Sequence, residues 1–251
     1  MTEAQAPARL RHRSGARYLF MPVVLAAVLA VLILWIANQD RTLGERRRTN
    51  FEYLTQVTWQ HIELTVASTV LVLLIAIPIG IALTRRFARH LTGPIIAIFN
   101  VGQAIPSIGV IALLAIVWAI GFWPVVVALV IYTSLPVLRN TMVGLSQVDA
   151  SVIESARGMG MTRTKVLATI EIPLAVPVIM AGVRTALSIN VGTATLGAFV
   201  GAGGLGEVIV AGITQNQQMV AVVGAVLVAI LALLIDFLAG IAEDKLRPRG
   251  I

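Results

Sequence analysis

The sequence predicts an all-α integral membrane protein, and the first support for that prediction is its composition. Of its 251 residues, 58% are hydrophobic and 12% are charged, with a mean hydropathy of +0.91. Soluble domains carry about 25% charged residues. The apolar residues also fall in blocks of about 20 residues or more, the length that a helix needs to cross about 30 Å of hydrocarbon. No water is available there to satisfy a free backbone, so such blocks must be helices.

Six apolar blocks are predicted to cross the membrane. The first, residues 18–37, is longer than the about 7–15 apolar residues of a signal peptide, so we interpret it as a retained anchor helix. Pro106 predicts a break in the third block, close to Gln103 and Ser107, which divides that span into two half-helices. A polar connector is expected at residues 38–57, and the other five blocks at residues 60–84, 93–119, 122–143, 174–200 and 217–241.

The net charge of +7 comes from short basic clusters at the ends of the apolar blocks. That is the positive-inside pattern of a membrane protein. No basic face carries interleaved aromatic residues, which argues against nucleic acid as a partner. The pattern places both termini and residues 144–173 in the cytoplasm, and residues 38–57 and 201–216 outside. Arg41 and residues 46–48 are the exception, because they fall on the outer side.

The chain shows no pattern typical of a catalytic, metal or nucleotide site. It has no cysteine, and its three histidines lack the spacing of metal ligands. It has no GxxxxGK[ST] phosphate loop. Gly201-x-Gly203-x-x-Gly206 matches a dinucleotide fingerprint, but it follows a membrane helix, so we interpret it as tight backbone packing or a re-entrant turn. We expect no catalytic residue, metal or cofactor in this chain.

Residues 148–173 differ from a plain membrane connector because they are amphipathic and contain helix-terminating signals. Ser151 and Glu154 are spaced as a capping box, which predicts a short helix over residues 152–157. Gly158 and Gly160 then offer a left-handed end to that helix.

A second short helix is expected directly afterwards. Thr162 is a candidate cap for a helix over residues 163–170, which Pro173 should end before the next membrane span. From this pattern alone, the segment is either a structured connector or a docking element for a soluble partner.

One motif within this segment resembles a known family. Glu154-Ser155-Ala156, then Gly160 after three residues, then Ile170-Glu171-Ile172-Pro173 after nine, resembles the EAA motif of ATP-binding-cassette importer permeases. The departures are Ser155 for alanine and Ile172 for leucine. The resemblance implies that the segment docks on the ATPase subunit, and it assigns this role to Glu154, Ser155, Ala156, Gly158, Gly160, Ile170, Ile172 and Pro173.

The resemblance also implies a domain organisation. Residues 58–241 would form a type I importer transmembrane domain, a five-helix core with the coupling segment at 148–173. Residues 1–57 would add a basic cytoplasmic N-terminus, the anchor helix and the connector, and residues 242–251 a basic cytoplasmic tail. The implied partners are two nucleotide-binding subunits that use ATP and Mg, a second permease copy or a related permease, and an extracytoplasmic binding protein. The implied location is the bacterial inner membrane.

Several further stretches resemble the osmoprotectant branch of that family. The branch imports glycine betaine, choline, carnitine and related quaternary amines. The alternatives are a permease for an amino acid such as methionine, or for a sulfonate, and, in a different class, a channel or a membrane scaffold. The stretches are QAIPS (103–107), LPVLRNT (135–141), ESARGMGM (154–161), PVIMAG (177–182), NVGTAT (190–195) and GAGGLG (201–206).

Polar and aromatic residues inside the spans are candidates for the translocation pathway. For the polar candidates, hydrogen bonding between helices is an alternative role of equal weight to lining the pathway. The aromatic residues Trp118, Phe122, Trp123 and Tyr132 fit a belt at the membrane interface better than a cage for a quaternary amine. The polar candidates are Gln103, Ser107, Asn190, Thr193 and Thr195.

Three ionisable residues lie within the predicted spans, where charged groups are functional suspects. Glu63 and Asp236 are expected near helix ends, in interfacial or capping roles. Arg184 is expected to extend its guanidinium towards the cytoplasmic face.

Overall fold

The computed structural model describes residues 16–246, which form helices joined by short turns. The basic residues of 1–15, His12 among them, and the end of the tail, 247–251, lie outside the described residues. Within the described part, five helices are long and apolar enough to cross a membrane, or six if one bent pair counts as a span. The helices are α1 (Ala16–Ala37), α2 (Leu43–Arg48), α3 (Phe51–Leu83), α4 (Thr92–Ala104), α5 (Ser107–Val117), α6 (Phe122–Ser146), α7 (Ala150–Gly158), α8 (Arg163–Val166), α9 (Ile172–Ala194), α10 (Gly206–Thr214) and α11 (Gln218–Leu246).

The bent pair confirms the predicted break in the third span. Helices α4 and α5 meet at an angle of 93° across Ile105 and Pro106. The backbone of Ile105 is extended there, as expected for a residue that precedes proline. The third span is therefore two half-helices.

The predicted polar connector at residues 38–57 is wrong in its second half. Helix α3 begins at Phe51, because Asn50 caps it by accepting a hydrogen bond from the amide of Tyr53 at 2.7 Å. Its 33 residues span about 50 Å at 1.5 Å per residue. That exceeds the hydrocarbon thickness, so the polar first turns of α3 extend beyond the apolar layer.

The core forms where α6 packs between α3 and α9. Small residues let the backbones approach closely, which is how helices associate where no hydrophobic force drives them together. A Cβ at Gly80 in α3 would lie 2.8 Å from Cβ of Thr141 in α6. A Cβ at Gly182 in α9 would lie 2.6 Å from Cβ of Asn140. Helix α11 packs on α9 and α10, and α1 packs along the outside of α11.

The two ends of the bundle differ in structure. At one end, which we call the α7 face, Tyr18 at the start of α1 donates a hydrogen bond to Asp244 near the end of α11 at 3.0 Å. The opposite end, the α10 face, holds α2 and α10. The start of α1 and the end of α11 therefore lie at the same end of the bundle.

The glycine-rich turn before α10 is a site of tight packing, as the sequence predicts. Gly201, Gly203 and Gly204 all have positive φ values, between 68° and 89°. A side chain on Gly206 would collide with the carbonyl of Thr195. The turn therefore folds α10 back against the end of α9, and it lies at the α10 face with no strand before it.

Two glycines of α9 provide a matched test of this packing. We expect Gly182→Ala to lower the stability of the folded chain by about 1–3 kcal/mol, because the new methyl group overpacks the contact with Asn140. A Cβ at Gly192 would meet no packed neighbour within 4 Å, so Gly192→Ala should be neutral or stabilising by helix propensity. The measurement is thermal unfolding of the purified chain in detergent. Equal unfolding midpoints for the two variants would contradict this account of the core.

Candidate coupling segment and translocation pathway

The first helix of the coupling segment has a different cap from the one predicted. Helix α7 begins at Ala150, and its cap is Asp149, whose carboxylate accepts a hydrogen bond from the amide of Ser151 at 2.8 Å. Hydrogen bonds from Ser151, the backbone amide foremost, lower the pKa of Asp149. The predicted capping box of Ser151 and Glu154 is therefore wrong, because the helix begins earlier in the chain than expected.

Helix α7 ends in a turn that requires glycine at one position. The amide of Gly160 bonds to the carbonyl of Arg157 at 2.9 Å, and the amide of Met161 bonds to that of Ala156 at 3.2 Å. This pair of bonds is a Schellman motif, which needs a left-handed residue at its centre. Gly160 supplies it with φ of +85°, as predicted. Gly158 is the last helical residue and does not share that conformation, so its predicted part in the left-handed end is wrong.

The two faces of α7 have different environments. Ala156 is 1% exposed and packs against the rest of the chain. Glu154 and Ser155 are exposed on the other side. Two large apolar side chains are exposed as well, Val152 at 42% and Met159 at 77%. We call the exposed surface of α7 and its C-terminal cap, to which Val152, Glu154, Ser155 and Met159 contribute, the presented face. Val152 lies on the Ala156 side of the helix, and Glu154 lies on the opposite side.

Glu154 makes no hydrogen bond or ion pair with the described part of the chain. Because Asp149 caps α7, Glu154 has no role in starting the helix. Its carboxylate is therefore available to a partner.

The second helix of the coupling segment continues into the membrane span. Thr162 caps α8 as predicted, accepting from the amide of Lys165 at 3.3 Å. The prediction that Pro173 ends this helix is wrong. Leu167–Glu171 form a π turn that passes directly into α9. The wider turn, in which the amide of Ile172 bonds to the carbonyl of Leu167, accommodates the missing amide of Pro173 without a break.

Glu171, inside this π turn, forms an ion pair with the end of α3. Its carboxylate accepts from both terminal nitrogens of Arg85, at 3.2 and 2.5 Å. The Glu171 side chain is 5% exposed and that of Arg85 is 28% exposed. Ile170 and Ile172 on either side are half-buried. The bidentate pair fixes the base of the coupling segment to the core.

Sequence reasoning did not find this ion pair. Glu171 was part of the motif, but the motif assigns it no role, and Arg85 lies 86 positions away. A buried carboxylate at the end of a span requires a cation, and Arg85, Arg86 and Arg89 were the available basic cluster. That requirement was the one signal in the sequence.

The polar pathway candidates differ in their burial and in their hydrogen-bond partners. Gln103 and Ser107 are half-buried on either side of the bend, where Nε2 of Gln103 donates to the carbonyl of Tyr132 at 2.7 Å. Asn190 is fully buried, and its Nδ2 donates to Oγ1 of Thr69 in α3 at 3.0 Å. For Asn190 the structure favours the helix-to-helix alternative.

Thr193 and Thr195 lie at the end of α9, half-buried. Oγ1 of Thr195 donates to the carbonyl of Gly192 at 2.6 Å, a bond within its own helix. Neither threonine is bonded to the group at the bend. The five candidates are therefore not assembled into one polar site by this chain alone.

The aromatic candidates do not form a single cage. Phe122 and Trp123 meet edge to face with centroids 5.4 Å apart, and Trp118 is exposed just before them. Tyr132 lies ten residues along α6 from Phe122, about 15 Å away by helix rise. The first three fit the interfacial belt.

The intramembrane charges form a network that the sequence did not predict. Arg184 donates to both carboxylate oxygens of Asp236, at 3.0 and 2.9 Å, and to Glu243 at 3.2 Å. The bond to Glu243, close to the end of α11 at Leu246, shows that the Arg184 guanidinium extends towards the α7 face, the direction expected. The expected helix-end role of Asp236 is wrong. Asp236 lies well inside α11 because two charges on neighbouring spans satisfy each other there.

Glu63 also lies inside its helix, twelve residues after the start of α3 at Phe51. It is exposed on the surface of the chain. The expectation that it lies near a helix end is wrong because α3 starts earlier than predicted.

The exceptional arginines near residue 46 are part of the α10 face. Thr42 and Glu45 form a capping box that starts α2. Arg48 donates to the hydroxyl of Tyr53 at 2.9 Å, and that hydroxyl donates to Glu207 of α10 at 3.4 Å. The cluster thus has a structural role in joining α2, α3 and α10.

Three features define the class of protein. They are a core of five spans with one bent member, a helix added before that core, and a presented helix fixed to the core by an ion pair. That class is the transmembrane domain of a type I ATP-binding-cassette importer, and the chain is a multi-pass membrane protein.

The chain belongs to the family of binding-protein-dependent transport system inner membrane components, whose family model matches residues 76–248. It is 41% identical over 204 residues to the choline transport system permease protein of Bacillus subtilis, covering 81% of this chain and 93% of that protein. It is 38% identical over 235 residues to an osmoprotectant import permease protein of Salmonella typhimurium, covering 94% and 97%.

A solved structure shows the same fold. The chain is similar to the MetNI methionine ABC transporter in an inward-facing conformation, with a TM-score of 0.68 and 25% sequence identity. The match covers 78% of this chain and 96% of that one. The predicted fold class and family are confirmed.

The ion pair between Arg85 and Glu171 leads to a prediction about stability. We expect Arg85→Met to cost about 3–5 kcal/mol, because it leaves the carboxylate of Glu171 buried without a partner. Glu171→Gln should cost less, since the freed guanidinium can reach water. Arg86→Met is the control, and as an exposed neighbour it should have little effect.

The measurement is thermal unfolding of the single variants and of Arg85→Met/Glu171→Gln in detergent. The double variant should cost less than the sum of the two single variants. Purely additive losses would show that the pair does not hold the segment.

Proposed function

We propose that this chain forms the translocation pathway of an ATP-driven importer for a small quaternary-amine osmoprotectant, such as glycine betaine, choline or carnitine. The support for the cargo is the identity of about 40% to permeases named for choline, carnitine and osmoprotectants. The methionine transporter shares the fold at 25% identity, so a methionine-like cargo is the second candidate.

The observation that carries the coupling role is the presented face of α7. It combines a free carboxylate with exposed Val152 and Met159 on a helix that is capped at both ends. A partner that covered this face would remove apolar surface from water and give Glu154 a cation. We propose that a separate nucleotide-binding subunit is that partner, that two such subunits bind ATP and Mg, and that this chain binds no cofactor.

The remaining partners follow from what the chain leaves unsatisfied. An exposed carboxylate in a membrane-length helix, as at Glu63, needs a polar neighbour, which supports a second permease chain or an aqueous pathway beside α3. An extracytoplasmic binding protein at the α10 face would select the cargo, because the aromatic residues fit an interfacial belt.

We also propose that the α7 face is cytoplasmic and the α10 face is outside in the bacterial inner membrane. The support is the predominance of basic residues at the α7 face, around Arg85, Arg139 and Arg163. The arginines of α2 are the exception, and their bonds within the α10 face give them a structural reason to be there.

Orientation is open to a direct measurement because the chain has no cysteine. In the chain expressed without a nucleotide-binding subunit, cysteine in place of exposed Ser155 should react with a membrane-impermeant reagent only after the inner side is opened. Cysteine in place of exposed Gln215 should react in intact cells. The reverse pattern would contradict the proposed orientation.

The turn at Gly160 provides the main test of the function. In vesicles that contain the complete transporter, we expect Gly160→Val to abolish uptake of labelled choline or glycine betaine, or to uncouple it from ATP hydrolysis. Valine is strained at positive φ and would re-aim α7. Gly160→Asn is the matched control, because asparagine tolerates this conformation.

Normal uptake by Gly160→Val would show that residues 148–173 are an ordinary connector. If the unaltered transporter takes up methionine and no quaternary amine, the coupling role stands and the cargo assignment is wrong.

A second test concerns the charge of Glu154. We expect Glu154→Gln to weaken binding of the nucleotide-binding subunit by about 1–3 kcal/mol, the cost of losing a hydrogen bond to a charged group. Asp149→Asn removes the same charge from the same helix but keeps a good cap, so it should bind nearly normally. Subunit retention is measured by co-purification across a dilution series. Equal losses for the two variants would show a general charge effect and no specific contact.

A further inference from the structure

Residues 84–91 and the coupling segment enclose a cleft lined by arginines. Two adjoining cavities, of about 640 and 530 Å³, share Thr84, Arg85 and Arg157 in their walls. We call them together the arginine cleft. The arginines that line it are Arg85, Arg86, Arg89, Arg157 and Arg163.

The positive charge of this cleft is not balanced within the described part of the chain. Its one acidic lining residue is Glu171, which is already bonded to Arg85. The other four arginines make no ion pair with described residues. Guanidinium groups converging on one cavity repel one another, and an anion with several oxygens would relieve that repulsion by bidentate bonds.

Apart from the hydroxyl groups of Thr84, Thr92, Ser146 and Thr164, the other uncharged residues that line the cleft are apolar. That apolar surface distinguishes between kinds of anion. The larger cavity is also lined by Met142 and Val143 of α6 and by Ile153 of α7. Beside the arginines, Phe87 is 74% exposed and Leu91 is 43% exposed. A small soluble anion would gain nothing from this surface, whereas a lipid would place its acyl chains against it.

We propose that the arginine cleft binds an anionic phospholipid, with its phosphate near Arg89 and Arg157 and an acyl chain along the apolar wall. The cleft lies where α3 and α6 end, the depth at which headgroups lie. Basic pockets between membrane helices bind anionic headgroups in this way. Because Arg157 belongs to α7, the bound lipid joins the coupling helix to the core. The site does not depend on which cargo the transporter carries.

Lipid retention by the complete transporter tests this proposal. The transporter is extracted from vesicles of phosphatidylethanolamine with phosphatidylglycerol, and the lipids that remain bound are counted by native mass spectrometry. We expect phosphatidylglycerol to be retained over phosphatidylethanolamine. Arg89→Gln/Arg157→Gln should reduce the affinity for phosphatidylglycerol about fivefold for each arginine removed. Each basic residue near a membrane surface contributes about 1 kcal/mol to the attraction of anionic lipid. Arg46→Gln/Arg47→Gln, which removes two exposed arginines at the α10 face, is the matched control and should retain lipid normally.

Three outcomes would overturn the proposal. Equal loss in Arg46→Gln/Arg47→Gln would show that only net charge matters. Full displacement of the lipid by excess inorganic phosphate would show a site for a free anion. Unchanged phosphatidylglycerol with loss of the nucleotide-binding subunit from Arg89→Gln/Arg157→Gln would show a protein contact. The thermal unfolding midpoint of each variant verifies that it is folded, and none of these results depends on the cargo.

Discussion

The burial of Glu171 is the constraint on which the coupling side of the molecule depends. A carboxylate removed from water at the end of a span must be compensated, and Arg85 is the cation that does so in the structure. The pair joins the end of α3 to the base of α9, so the two helices that flank α6 and the coupling segment are held at one point. Displacement of the base of α9 relative to the end of α3 must therefore strain or break this contact.

The backbone is continuous from α8 through the π turn into α9, so a displacement of α8 also displaces the start of α9. Proline at the start of α9 would usually interrupt a helix, but the wider turn at Leu167–Glu171 keeps the backbone continuous. Force applied to the coupling segment therefore enters a membrane helix directly. The far end of that helix packs against α10 and the glycine turn, at the opposite face of the membrane domain.

The sequence was sufficient for the spans, the break at Pro106 and the left-handed turn at Gly160, because each depends on local chemistry. It was insufficient where distant residues or neighbouring caps compete. Asp149 and Ser151 are both good cap residues, and only the backbone conformation selects Asp149. The start of α3 was missed because its polar first turns resemble a loop. The pairs formed by Glu171 with Arg85, and by Asp236 with Arg184, join residues far apart in sequence and become visible only once the helices are packed.

Helix α7 is closed at one end by Asp149 and at the other by the Schellman turn, so both of its ends are satisfied by the chain itself. A partner then meets a surface that is already formed, and association need not include the entropic cost of ordering a loop. More of the contact free energy remains to hold the two subunits together. A preformed helix also allows the partner to dissociate and rebind without refolding of the permease, so subunit exchange would be governed by the contact alone.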